Sequence, residues 1–312
     1  MSNASLSTVL LTDPDSAELH ALLNEVVPDL PIRTLDQMGT ESECQVWLGA
    51  TEGVVELLGR GLQPRWVQLT CADVSSMIEP HIPRDYLLTR ACNVFGASML
   101  EYVVHQLLAH AWQATEYPLA QSRFNWRPAV SGRLSGKRAL ITGLGSIGLH
   151  IAAGLASLGM VVCGIQRNPR PLPNVSETGR LVDLLRLAAN ADYVINVLPD
   201  TPHTKDLFDS EFFAALPRHA LFINVGRGSA VDDQALVKAL NEGQLAGAVL
   251  DVFRKEPLPP SHQFWVTPNL HLTPHVAGPL DATAMIDFFL SNLRKYQAGQ
   301  PLEGQVRFER GY

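Results

Sequence analysis

The sequence predicts an α/β protein of two domains, each built on a parallel sheet. Short apolar runs alternate with helix-periodic segments along most of the chain, a pattern that requires crossover connections between parallel strands. The alternation comes in two series, separated by a long helical stretch and a turn-rich connector. With 312 residues the chain also exceeds what one ordinary core fills.

In the first series "STVLLTD", "QVWLGA" and "RWVQLTC" read as buried strands, and "SAELHALLNEVV" and "EGVVELLGRG" as helices. A helix is expected from about Ala97 to Gln121, with Leu100, Val103, Val104, Leu107 and Leu108 at helical spacing. The connector "RFNWRP" follows it. Trp47, at a strand end, and Trp126, in the connector, read first as packing residues, with a cleft wall and a dimer contact as their alternatives.

The second series supplies strands "RALIT", "MVVCGI", "DYVINVL", "ALFINV", "GAVLDVF" and "LHLTPH". Between them lie helices such as "SIGLHIAAGLASLG" and "DDQALVKALNEG", the latter bounded by an Asp near its start and Gly243 after its end. A last helix, about Ala282 to Ala298, is expected to return to the first domain, because the tail "GQVRFERGY" has too little apolar content to fold alone. The expected domains are residues 1–98 with 283–312, and residues 99–282.

Composition narrows the classes of partner. The chain is 46% hydrophobic and 18% charged, ordinary for a globular protein. A net charge of −7 argues against a general nucleic-acid surface. No apolar run reaches bilayer length and no basic, apolar leader is present, so neither a membrane nor export is expected. Four cysteines without a C-x-x-C pair suit a reduced, cytoplasmic setting, and no zinc-finger spacing occurs, so no metal is expected.

"RALITGLGSIGLH" sets Gly143, Gly145 and Gly148 in a G-x-G-x-x-G pattern between an apolar strand and an apolar helix. The first glycine permits a tight turn, the second a close approach of pyrophosphate, and the third close helix–strand packing. Ser146 and Ile147 open the helix, whose N–H groups would meet the phosphates. A dinucleotide site is therefore expected, with Pro199, Thr204, Val225 and Asp251 beyond later strands also lining it. Pro199 and Thr201, Arg227, Asp251 and His275 fall at the carboxyl ends of successive strands, where such sheets bind ligands.

The strand "VVCGI" runs into Gln166, Arg167 and Asn168, where an acid normally accepts from the adenosine ribose. Loss of the acid removes repulsion toward an extra phosphate, and Arg167 adds a fork-shaped donor. NADP(H) is thus the expected cofactor, with NAD(H) weaker; Asn168 and Arg170 could add donors. Nicotinamide-dependent carbonyl reduction also needs a proton donor and a substrate anchor. His275 suits the first role, Glu256 could hold its ring, and Arg227 matches a carboxylate.

"INVGRGSAVDDQALVKAL", "GAVLDVFRKEPLP" and "LTPHVAG", in that order after "GLGSIG", closely resemble the D-2-hydroxyacid dehydrogenase family over Ser135 to Gly278. The resemblance implies two Rossmann-like domains, the first flavodoxin-like and substrate-binding, with a cleft between them, and a homodimer. It implies Arg227, Glu256 and His275 as the catalytic set, and Asp251 toward the nicotinamide. The implied reaction is reduction of small 2-oxo acids, glyoxylate to glycolate and hydroxypyruvate to D-glycerate. An NAD-linked dehydrogenase and a non-catalytic cofactor-sensing protein are the alternatives.

One segment departs from the family. Its usual A-G-V-D stretch, whose N–H groups hold the substrate carboxylate, is here Ala72, Asp73, Val74 and Ser75. A carboxylate at 73 is expected to shift substrate preference unless it turns away.

Overall fold

The computed structural model describes residues 8–13, 16–37, 44–114, 116–126, 128 and 132–308. In chain order the elements are β1 (Val9–Leu11), α1 (Ala17–Val26), β2 (Ile32–Arg33), β3 (Val46–Gly49), α2 (Thr51–Gly59), β4 (Trp66–Leu69), β5 (Leu87–Thr89), α3 (Gly96–Ala111) and α4 (Glu116–Ser122). Then follow β6 (Arg138–Thr142), α5 (Ser146–Ser157), β7 (Val161–Ile165), β8 (Glu177–Gly179), α6 (Leu184–Ala188), β9 (Tyr193–Asn196), α7 (Ser210–Ala215), β10 (Leu221–Asn224), α8 (Asp233–Asn241), β11 (Gly247–Leu250), β12 (Leu270–Leu272) and α9 (Ala282–Gln297). Two compact units form, Met1–Val94 with Leu280–Tyr312, and Phe95–Pro279. None of the described helices is long and apolar enough to cross a membrane.

The first unit holds a parallel sheet in the order β2-β1-β3-β4-β5, the flavodoxin-like order. Helix α9 closes it. The Trp66 ring stacks on Phe289 at 5.5 Å and meets Tyr296 at 5.1 Å, while its indole N–H donates to Thr89 Oγ1 at 2.8 Å. Asn292 Nδ2 donates to Gln68 Oε1 and to the Glu303 carbonyl, both at 3.0 Å. The last helix thus belongs with the first ninety-four residues because its apolar face is needed there.

The second unit has a parallel sheet in the order β12-β11-β10-β9-β6-β7-β8. Counted from β6, this is the dinucleotide-binding order 3-2-1-4-5-6 with one strand added beyond β11. Helices cover both faces, so its central strands are apolar on both. Ile141, Val162, Ile195, Ile223 and Val249 pack on one side; Leu140, Cys163, Val194, Phe222 and Leu250 pack on the other. A buried group of Phe208, Phe212, Phe213 and Phe222, with neighbouring centroids 4.8–6.0 Å apart, fills the second face.

The single helix expected over Ala97–Gln121 is instead two. Helix α3 stops at Ala111, Gln113 turns left-handed at φ 49°, and α4 restarts at Glu116. Pro118 explains the break: it has no N–H to give the Ala114 carbonyl, and its ring would clash there in a continuous helix. Of the connector after it, Arg127 lies outside the described residues.

Candidate active site

The strand order of the second unit reverses between β6 and β9, which pair with Thr142 beside Asn196. The carboxyl ends there form the crevice in which such sheets bind ligands. Gly143 adopts φ 104°, and a Cβ on Gly148 would lie 2.1 Å from the Gly143 carbonyl oxygen, so turn and packing both require glycine. Gly145 differs: a Cβ there would meet no protein atom within 4 Å. The space in front of Gly145 and the exposed Ser146, where α5 begins without a side-chain cap, fits a pyrophosphate. Ile147 is half-buried beside them.

Beyond β7 the chain makes an exposed turn. Gln166 Nε2 donates to the Arg170 carbonyl at 3.0 Å, and Thr178 Oγ1 donates to the same oxygen at 3.1 Å. Gln166 therefore braces the turn that carries Arg167 and Asn168, a role its sequence position does not reveal. Thr204 is buried; its hydroxyl donates to the Pro199 carbonyl at 2.8 Å and accepts from Thr201 N–H at 2.9 Å, closing the exposed Pro199 turn. Val225 is buried just past β10.

A buried polar chain links these strand ends. Thr142 Oγ1 donates to Asn196 Oδ1 at 2.9 Å, and Asn196 Nδ2 donates to Asn224 Oδ1 at 2.8 Å. Asn224 Nδ2 then donates to the Arg227 carbonyl at 3.0 Å. The Arg227 guanidinium donates to the Gly226 carbonyl at 2.7 Å. Neither asparagine was singled out from sequence; both are fully buried at strand ends, where an Asn among apolar residues is the only signal.

Asp251, 1% exposed, organises the next turn. Its carboxylate accepts from Thr273 Oγ1 at 2.6 Å, Val276 N–H at 2.9 Å and Ala277 N–H at 2.9 Å, and its carbonyl accepts from His275 N–H at 2.8 Å. His275 sits in that turn at φ 56°, a left-handed conformation that such contacts must hold in place. Its Nδ1 lies 2.7 Å from Glu256 Oε2, while Glu256 Oε1 accepts from Phe253 N–H at 2.8 Å. The carboxylate so fixes which ring nitrogen faces it and leaves Nε2 for other chemistry. His271 and His275 stand four apart, the zinc-binding spacing of a helix, but here they lie on β12 and the turn after it, so no helical face brings them together.

In the first unit, Asp73 turns back on its own loop. Its Oδ1 accepts from Ser75 N–H at 3.0 Å and Ser75 Oγ at 2.6 Å. Ala72 is half-buried and Val74 buried. Trp47 is 2% exposed and donates to the Cys44 carbonyl at 2.9 Å, a packing role; Trp126 is 94% exposed.

Fold and site together define a dinucleotide-binding α/β protein with a histidine–carboxylate pair at the strand ends. Residues 104–277 match the family model of the D-isomer specific 2-hydroxyacid dehydrogenase NAD binding domain. A glyoxylate/hydroxypyruvate reductase A of Yersinia enterocolitica is 33% identical over 214 residues, 69% of this chain and 68% of that one. A D-isomer specific 2-hydroxyacid dehydrogenase family protein of Aeromonas salmonicida superposes with a TM-score of 0.91 at 34% identity, covering 97% of this chain and 100% of that one. An NADPH-dependent glyoxylate/hydroxypyruvate reductase of Sinorhizobium meliloti, solved with NADP and sulfate, gives 0.86 at 28% identity, covering 98% and 100%. The chain belongs to the D-isomer specific 2-hydroxyacid dehydrogenases, which are oxidoreductases.

Proposed function

We propose that the protein is an NADPH-dependent reductase of small 2-oxo acids, converting glyoxylate to glycolate and hydroxypyruvate to D-glycerate. The His275–Glu256 pair at 2.7 Å carries this reading. Held by the Gly143–Gly148 loop and the turn bearing Arg167, NADPH would supply a hydride for the carbonyl carbon. His275 gives a proton from Nε2 to the carbonyl oxygen as the C=O bond becomes C–OH, and regains one from solvent. Glu256 holds the ring, and Arg227 anchors the substrate carboxylate. Support for NADPH over NADH comes from Gln166, Arg167 and Asn168 in place of an acid, and from the NADP bound by the Sinorhizobium meliloti enzyme.

Ala72, Asp73 and Val74 form the substrate-carboxylate loop in this reading. The two departures from the family compensate each other, because the acid at 73 accepts from the hydroxyl that replaces the acid at 75. The protein acts as a homodimer in the cytoplasm. Four cysteines not joined in disulfides suit that compartment, and exposed Trp112, Leu119, Phe124 and Trp126 offer an apolar surface for a second copy.

The test is a panel of small 2-oxo acids assayed with NADPH and NADH, on wild type and His275→Gln. Glyoxylate and hydroxypyruvate should turn over with NADPH, and the variant should lose about 100- to 10,000-fold in kcat. No turnover across the panel overturns the reading.

A further inference from the structure

The loop after β11 carries a second charged side chain that the chemistry above leaves unused. Arg254 Nη2 donates to the Asp206 carboxylate and to the Val231 carbonyl, and lies 3.3 Å from the Ser229 carbonyl. Its Nε donates to Asp233 Oδ1 at 3.3 Å. Ser229 and Val231 belong to the short 3-10 turn Gly228–Ala230 and its end, and Arg227 is the residue on which that turn begins.

The backbones meet as closely as the side chains do. A Cβ on Gly228 would lie 2.0 Å from the Phe253 carbonyl carbon and 2.4 Å from the Arg254 nitrogen, so the turn after Arg227 rests directly on the Phe253–Arg254 peptide. Phe253 N–H in turn donates to Glu256, whose other oxygen holds His275. One guanidinium therefore ties the segment bearing Arg227 to the segment that presses Glu256 on the imidazole.

An isolated exposed ion pair contributes little to stability. Arg254 is not one, since it bridges two carboxylates and two carbonyls contributed by two separate segments, Asp206 and residues 229–233. A lysine could not span them, because the pattern uses the fork of the guanidinium.

We propose that Arg254 is a positioning residue for the reductase site: it clamps the Arg227 turn to the 253–256 loop and so sets the Glu256–His275 contact. The inference rests on the reading of Arg227, Glu256 and His275 as that site. Its tests are Arg254→Met and Arg254→Lys, alone and combined with Glu256→Gln. For Arg254→Met, kcat should fall about 10- to 100-fold, the scale at which a small misplacement of catalytic groups acts. The Kd for NADPH should change by less than about twofold, since no cofactor contact is assigned to Arg254. Arg254→Lys should fall between Arg254→Met and wild type. In the Glu256→Gln background the Met substitution should add little, because both changes break one unit.

Hydrogen exchange of the 252–257 segment provides a readout without turnover, and it should quicken in Arg254→Met while the strands of the unit stay protected. Losses that multiply fully in the double variant, or unchanged kcat with unchanged exchange, overturn the proposal. If wild type turns over no 2-oxo acid, the site reading fails, and exchange alone decides the clamp. If Arg254→Met does not fold, the same readings are taken on Arg254→Lys, where unchanged kcat and exchange overturn it.

Discussion

Arg167 lies in a turn that Gln166 and Thr178 brace through one shared carbonyl, that of Arg170. A charge-assisted hydrogen bond contributes roughly 1.5–3 kcal/mol, so Arg167→Ala should raise KM for NADPH about tenfold or more. KM for NADH should move far less; equal shifts would show that Arg167 does not select the cofactor. Asp251 carries a different consequence. Its carboxylate accepts three donors in a buried site, and Asp251→Asn would turn an NH2 toward N–H groups. A loss of about 1–3 kcal/mol in stability is expected from the unsatisfied donors, read by thermal melting, together with a fall in kcat as the His275 turn loosens. The Glu256–His275 contact was legible because His275 lies just beyond an apolar strand and "GAVLDVFRKEPLP" resembles a family motif whose acid partners that histidine. Arg254 was not, since its carboxylate partners lie 48 and 21 residues away and no local spacing announces them.

At the scale of elements, the strands of the second sheet were readable from composition because helices bury both faces. Short edge strands were not: β2 is "IR" and β8 is "ETG", neither long nor apolar enough to stand out. The break between α3 and α4 was hidden because Pro118 sits among residues that keep a helical period. The Thr142–Asn196–Asn224 chain shows the cost of joining strand ends by polar contacts inside a core. Asn224→Leu keeps similar volume but strands Asn196 Nδ2 and Gly226 N–H, which both donate to Asn224 Oδ1. With each buried unsatisfied group costing about 1–3 kcal/mol, the variant should melt several degrees lower, at about 2–4 °C per kcal/mol for a domain of this size. An unchanged melting temperature would mean the strand ends relax to find other partners.

For the whole molecule, association and acid response are the properties that depend on distant parts together. If the apolar surface around Phe124 and Trp126 seats a second copy, Phe124→Ser with Trp126→Ala should sediment as a monomer while wild type sediments as a dimer; identical profiles would remove that surface from the interface. Acid response differs between the two units. In the second unit burial, then the nearby His271, lowers the pKa of His110 from 6.5, so the folded state prefers the neutral ring. The stability this gives is present above the ordinary value and is lost as pH falls through the lowered one. At Asp192 burial pushes the carboxylate up from 3.8, but the Arg138 N–H, Lys137 and His219 together outweigh it and leave the pKa lowered. That contribution stands above pH 3.8 and disappears in stronger acid. In the first unit Asp13 has the opposite sign: burial raises its pKa from 3.8 despite the Ala50 N–H, with Glu52 adding to the rise. Its stabilising contribution is present below 3.8 and is lost as pH rises through the folded value. Calorimetry should therefore find His110→Gln gaining on wild type as pH falls below about 6.5. Asp13→Asn should be more stable than wild type at neutral pH, with the gap closing toward 3.8. A His110→Gln curve parallel to wild type throughout would show that the ring is as well solvated folded as unfolded.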